Sequence, residues 1–158
     1  MDRAVERIRK ALIAGERIAV YGDYDVDGIT SSCLMTQYLR KLGAMVILHI
    51  PERLEDGYGL RKHTLKAMKD AGVSLVITVD CGMTAIEEIE YAGSIGLDMV
   101  ITDHHECAET LPSVPAVNPK RPDSEYPEKD LAGVGVAFKL CCALEGVDST
   151  EEMLDRYS

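Results

Sequence analysis

The chain has 158 residues, of which 46% are hydrophobic and 28% charged, a composition typical of one globular domain with a substantial core. It excludes disordered, collagen-like and coiled-coil classes, and no apolar run approaches the roughly 18 residues of a membrane span, so we expect no membrane partner. The net charge of −10, from 17 Lys and Arg against 27 Asp and Glu, argues against a protein that grips nucleic acid through a basic face. Five cysteines without CxxC spacing favour a reduced, cytoplasmic location over disulfides or structural zinc.

Short apolar runs rich in Val and Ile alternate with amphipathic stretches along the chain. The predicted helices are about Arg3–Ala14, Ile29–Leu42, Leu60–Ala71, Thr84–Ser94 and Val134–Leu144. The predicted strands are Arg17–Tyr21, Met45–Ile50, Leu75–Val79, Asp98–Thr102 and a short fifth strand at Ala116–Asn118. Gly15 and Gly43 are expected to end the first two helices, and Thr84 with Glu87 forms a capping-box pattern. The alternation predicts an α/β fold, a mostly parallel five-stranded sheet with helices on both faces.

Three of the predicted strands end in residues that can bind metal ions. They are Asp23, Asp25 and Asp27 after the first strand, Asp80 after the third, and Asp103, His104 and His105 after the fourth. Ligands of parallel sheets bind at the carboxyl ends of the strands, so these side chains are expected to meet at one edge. Carboxylates packed so closely repel one another, and bound divalent cations remove the conflict.

Each segment alone has a plainer interpretation, since Asp27-Gly28 is typical of a turn and a His-His pair of an ordinary surface. Their coincidence at equivalent positions of the sheet favours a site. Carboxylates with one or two imidazoles favour Mn²⁺ or Mg²⁺ over structural zinc. Neighbouring residues of an extended strand point to opposite sides, so we expect His104 and His105 not to bind the same metal.

Two other patterns are rejected. Asp23, Asp25, Asp27 and Gly28 match the opening of an EF-hand loop, but its twelfth position is Leu34 instead of Glu. Gly133-x-Gly135 follows a proline-rich segment and lacks a third small residue, so it predicts a tight helix start and no dinucleotide site.

Three motifs resemble those of the DHH phosphoesterase superfamily. They are Asp23-Tyr-Asp-Val-Asp-Gly28, Val79-Asp-Cys-Gly82 and Asp103-His-His105. Further segments are similar to the branch of that superfamily that degrades single-stranded DNA from the 5′ end. They are Arg53–Leu60 (RLEDGYGL), Asn118–Pro122 (NPKRP) and Leu131–Leu140 (LAGVGVAFKL). The resemblance covers about Ala4 to Leu144 and implies a metal-dependent phosphodiester hydrolase, an exonuclease specific for single-stranded DNA in repair and recombination.

The resemblance also implies roles for individual residues and two divalent ions, Mn²⁺ or Mg²⁺, as cofactors. Metal ligands would be Asp25, Asp27, Asp80 and His104, which with His105 at the scissile phosphate make up the catalytic set. Residues beside the ligands or the substrate would be Asp23, Asp103, Arg53, Tyr58 and Asn118. The superfamily often has a histidine four residues before the first ligand, where this chain has Tyr21, a difference that would alter occupancy of one metal site.

The fourth motif of the superfamily, its second catalytic domain and an OB-type DNA-binding domain do not occur in these 158 residues. We therefore expect residues 1–158 to be a DHH catalytic domain cut before the fourth motif, inactive or weakly active alone. Single-stranded DNA would be held mainly by the other domains, with a single-strand-binding protein and a helicase as further partners. Two alternatives stay open: the same site acting on cyclic dinucleotides, short oligonucleotides or pyrophosphate, and a non-catalytic metal-binding module.

Overall fold

The computed structural model describes residues 1–51, 59–146 and 151. The helices are α1 (Asp2–Ala14), α2 (Val26–Lys41), α3 (Lys62–Asp70), α4 (Ile86–Ser94) and α5 (Gly133–Glu145). The strands are β1 (Arg17–Tyr21), β2 (Met45–His49), β3 (Val73–Thr78), β4 (Asp98–Thr102) and β5 (Ala116–Val117). Two residues predicted to border the substrate, Arg53 and Tyr58, lie outside the described residues.

The five strands form one sheet in the order β2-β1-β3-β4-β5, and every pair of neighbours is parallel. This confirms the predicted parallel sheet. In the register, Tyr21 at the end of β1 lies opposite His49 of β2 and Thr78 of β3. The chain places β2 on one side of β1 and the later strands on the other, so the strand order reverses between β1 and β3. Open parallel sheets bind ligands outside the strand ends at such a reversal.

Successive strand residues pack on opposite faces of the sheet, as the alternation of side chains requires. Ile18 and Val20 pack in one core cluster with α1, α2 and α5. Ala19 and Tyr21 pack in a second cluster with α3 and α4. Helices therefore cover both faces, as predicted, and burial on both sides explains why the strands are almost wholly apolar.

The predicted start of α2 and the predicted capping box of α4 are wrong. Helix α2 begins at Val26, three residues before the predicted start, because Asp25 caps it and draws Asp27-Gly28 into its first turn. Helix α4 begins at Ile86 after Ala85, and its first turn receives no side-chain cap, so the capping box of Thr84 is not formed. The preceding backbone is held elsewhere, since the N–H of Met83 donates to Asp103. The other predicted bounds lie within two residues of the observed ones.

Gly15 ends α1 as predicted, in the left-handed conformation with φ of 63° that glycine adopts without strain. All five cysteines are free thiols. Within the described part of the chain, no helix combines the length and apolar character needed to cross a membrane.

Candidate metal centre

The ends of three neighbouring strands, β1, β3 and β4, deliver the predicted side chains to one edge of the sheet. Ligand atoms of Asp23, Asp25 and Asp80 lie within 4.8 Å of one another. Ligand atoms of Asp80, His104 and His105 form a second group of the same width. Asp80 belongs to both groups, which makes it the central residue of the candidate centre.

The segment after β1 turns directly into a helix. Asp25 caps α2 by accepting a hydrogen bond of 2.7 Å from the N–H of Gly28, although its side chain stays exposed. Asp23 is buried and accepts the N–H of its neighbour Tyr24 at 2.7 Å. Burial, and then the negative charge of Asp25, raise the pKa of Asp23 above its usual range. The first strand therefore ends in one buried and one exposed carboxylate close to Asp80.

Asp80 combines burial with an unusual backbone. It is 1% exposed, and with φ of 60° it is the non-glycine residue with positive φ within the described part of the chain. Neither carboxylate oxygen accepts a hydrogen bond from the described residues, while Nε2 of His104 lies 3.0 Å from Oδ1. Burial and the charges of Asp27 and Asp25 raise the pKa of Asp80 to about 8. Such a carboxylate is costly without a cation beside it.

Asp103 organises the two histidines. It is buried, and its carboxylate accepts the backbone N–H groups of Met83, His104 and His105 at 2.9, 2.8 and 3.2 Å. Nδ1 of His105 lies 2.6 Å from the same carboxylate. Although burial acts to lower the pKa of His105, this contact with Asp103 raises it overall. Asp103 therefore holds the backbone and one ring in place.

The expectation that the two histidines face opposite sides is wrong in its premise. Strand β4 ends at Thr102, so His104 and His105 do not belong to an extended strand. Their ring centroids are 4.5 Å apart, and both rings reach Asp80. The turn enforced by Asp103 thus brings both imidazoles to the same centre.

Asp27 is held by a distant helix. Its carboxylate accepts the N–H groups of Gly133 and Val134 at 2.7 and 2.8 Å, and it lies 3.6 Å from Nε2 of His104. Sequence analysis did not identify Gly133 and Val134 as part of this site. They contribute backbone groups from a helix more than 100 residues away, and backbone donors leave no sequence signal beyond the glycine itself.

Two further predicted positions have structural contacts. Asn118 is 3% exposed; its Nδ2 donates to the carbonyl of His105 at 2.9 Å, and its Oδ1 accepts the N–H of Lys120. Tyr21 is fully buried, and its hydroxyl donates to the carbonyl of Gly59 at 3.1 Å. Its ring centroid lies 4.8 Å from that of His49. Tyr21 therefore supports the segment after β2, and Asn118 supports His105.

The donor set fits a divalent cation. Carboxylate oxygens with one or two imidazoles suit Mn²⁺ and Mg²⁺. The two buried oxygens of Asp80 accept no hydrogen bond from the described residues. A bound cation would neutralise their negative charge. A carboxylate whose pKa is raised by burial and then by neighbouring carboxylates is typical of a functional site.

The chain belongs to the DHH family: the model described as "DHH family, N-terminal domain" matches residues 17–157. Motif, fold and site geometry agree with that membership.

Proteins similar to this chain include RecJ exonucleases. The single-stranded-DNA-specific exonuclease RecJ of Bacillus subtilis (strain 168) is 49% identical over 156 residues, which are 98% of this chain and 20% of that protein. A crystal structure of exonuclease RecJ bound to manganese superposes with a TM-score of 0.84 at 37% identity, covering 94% of this chain and 39% of that one. RecJ of Thermus thermophilus in complex with Mn²⁺ gives a TM-score of 0.77 at 34% identity, covering 94% and 22%. The chain thus spans a fifth of the length of the Bacillus relative.

Proposed function

We propose that this chain is the metal-binding half of a metal-dependent phosphodiester hydrolase, a 5′→3′ exonuclease specific for single-stranded DNA that acts in repair and recombination. The observation that carries the proposal is Asp80, a buried carboxylate without hydrogen bonds from the described residues, ringed by Asp25, Asp27 and His104. The name and the 49% identity of the Bacillus relative support the substrate class.

In this proposal Asp25, Asp27, Asp80 and His104 hold two divalent ions, Mn²⁺ or Mg²⁺. When bound, the ions supply a water nucleophile near neutral pH and neutralise charge on the phosphate. Manganese in the two RecJ structures supports the choice of metal. Asp23 and Asp103 lie beside the ligands, and Asp103 fixes the ring of His105 through Nδ1, which leaves Nε2 as the ring atom to meet the scissile phosphate.

The proposed enzyme contains more than these 158 residues. We place the remaining catalytic and DNA-gripping parts in other domains of a longer protein, with single-strand-binding protein and a helicase as partners, and a cytoplasmic location. The proposal of further domains is supported by the chain spanning 20% of its Bacillus relative. The proposed location is supported by the five free cysteines, which suit a reducing compartment.

The first test replaces Asp80 by Asn in the whole protein that carries this chain. Asn tolerates the left-handed backbone of position 80 and keeps the side-chain shape. Hydrolysis of 5′-phosphorylated single-stranded DNA in Mn²⁺ should fall about 100-fold or more. Losing a residue that only orients a metal ligand typically costs about 10–100-fold in activity, and losing the ligand itself should cost more. Binding of the strand should stay within about threefold, because the proposal places most of the grip elsewhere.

The matched control is Asp70→Asn, which changes an exposed carboxylate paired with Lys66 outside the site and should leave hydrolysis unchanged. Equal loss of binding and hydrolysis in Asp80→Asn would show that Asp80 is structural. A substrate panel completes the test: faster turnover of cyclic dinucleotides or pyrophosphate than of long single strands would overturn the proposed substrate class.

A further inference from the structure

Helix α5 begins without a side-chain cap of its own. Ala132 stands at the N-cap position and provides no side-chain hydrogen bond. The N–H groups of Gly133 and Val134 donate instead to the two carboxylate oxygens of Asp27, one to each oxygen, at 2.7 and 2.8 Å. Asp27 lies in the first turn of α2, so one helix caps another through a residue that the proposed function uses as a metal ligand.

The first residue of α5 also touches the centre of the site. A Cβ atom added at Gly133 would lie 2.8 Å from Cγ and 2.9 Å from Cβ of Asp80, closer than real Cβ atoms approach other atoms. Only glycine lets the start of the helix lie against Asp80 and still reach Asp27. Any larger residue must displace Asp80 or pull the two N–H groups away from Asp27.

The rest of α5 is anchored, which prevents the helix from moving to relieve such a clash. Ala137, Leu140 and Cys141 are fully buried in the core cluster that also contains Met35 and Leu39 of α2. Interiors packed in this way do not yield readily to added volume. The position of the helix start is therefore fixed by the core and not by the site.

We propose that the N-terminus of α5 is a positioning element of the metal centre, with Gly133 as the residue on which it depends; this rests on the proposed function. Each carboxylate oxygen has two lone pairs, so Asp27 can accept an N–H on each oxygen and still bind a cation. The two donors fix the carboxylate before the metal arrives, which reduces the ordering that binding requires. Gly133 acts through Asp27 and Asp80 and touches no metal itself.

The test measures Mn²⁺ binding to the 158-residue chain by isothermal titration calorimetry. Gly133→Ala should weaken the affinity at least about tenfold, as is typical when a group that orients a ligand is lost. Gly135→Ala is the matched control: it is the same change in the same helix, its added Cβ lies 3.3 Å from Cδ2 of Leu131, and it should leave the affinity within about twofold. Far-UV circular dichroism and thermal unfolding establish that both variants are folded.

Equal affinities of the wild type and Gly133→Ala overturn the positioning role and leave the proposed function standing. A folded wild-type chain that binds no Mn²⁺ instead overturns the proposed metal centre, and the positioning role falls with it. The two failures are therefore distinguishable in one set of titrations.

A second measurement needs neither metal nor the Gly133 variant. Asp27→Ala in chelator should speed amide hydrogen exchange at Gly133 and Val134 at least about tenfold, because their acceptor is gone. Exchange in α1 should stay unchanged, and Asp70→Ala provides the control for loss of an exposed carboxylate. Unchanged exchange at both amides in Asp27→Ala would overturn the proposal, since the two N–H groups would then not be donating to the Asp27 carboxylate.

Discussion

A single residue, Asp80, combines burial with repulsion from neighbouring carboxylates. It is buried, lies near Asp25 and Asp27, and accepts no hydrogen bond from the described residues. Its pKa is raised from 3.8 to about 8, so the folded chain binds its proton more tightly than the unfolded chain does. Without metal, the stabilising contribution of the protonated form is complete below pH 4 and is lost as the pH rises through 8.

We expect Asp80→Asn to remove this pH dependence in chelator. At pH 8 the variant should unfold at a temperature about 4–8 °C higher than the wild type, which corresponds to about 2 kcal/mol at about 2–4 °C per kcal/mol. Below pH 4 the two proteins should unfold at nearly the same temperature. Thermal unfolding across this pH range measures the difference, and a variant that is less stable than the wild type at pH 8 would contradict the account.

The motif pattern predicts from the sequence that Asp80 lies at this sheet edge, but it does not predict that the side chain is buried. Its burial follows from β3 lying between β1 and β4, and from the start of α5 lying against the carboxylate. Residues of functional sites often lower the stability of the folded protein, because they are arranged for function and not for stability. Sequence spacing reports which residues reach the sheet edge, and packing decides which of them are buried.

At the scale of an element, helix α2 depends on Gly28 in its first turn. An added Cβ there would lie 2.6 Å from the backbone oxygen of Asp23 and 2.7 Å from its backbone carbon. Backbone atoms cannot move aside as a side chain can, so Gly28→Ala should cost about 2–3 kcal/mol despite the higher helix propensity of alanine. Urea denaturation in chelator measures the change in the free energy of unfolding.

The matched control is Gly93→Ala in α4, where nothing lies within 4 Å of the added Cβ. This change should stabilise the chain by about 0.5–1 kcal/mol through helix propensity and reduced freedom of the unfolded chain. Gly28→Ala with a free energy of unfolding equal to that of Gly93→Ala would mean that α2 does not depend on this close approach.

The elements also show where local patterns succeed and fail. Strands β1 and β4 match their predicted bounds because alternating strands and helices bury both faces of the sheet and make these runs apolar. Helix α2 was predicted to start late, since Asp27-Gly28 is locally typical of a turn, whereas Asp25 supplies a cap. The contact of Asp27 with Gly133 and Val134 joins residues 106 and 107 positions apart, which no local pattern can predict.

At the scale of the whole molecule, the net charge of −10 limits how this chain meets DNA. Several of its cations are already paired with acids: Arg7 with Glu16 and Asp98, Lys120 with Glu106, and Arg121 with Asp123. Phosphate affinity comes mainly from Lys and Arg that release counterions. Two bound divalent ions would offset four of the ten net negative charges, and only at the proposed catalytic edge.

We therefore expect the 158-residue chain in chelator to bind a 5′-phosphorylated single strand weakly. Its Kd should lie above the roughly 10⁻⁴–10⁻⁶ M that is typical of non-specific binding. Added Mn²⁺ should strengthen binding measurably in the wild type and less in Asp80→Asn, because the cation provides the positive charge that the protein surface lacks. Fluorescence anisotropy at 0.15 M salt measures both affinities. Micromolar binding in chelator would contradict this expectation. It would show that these residues contain a basic DNA-binding surface despite the net negative charge, and that binding of phosphate does not depend on the metal ions.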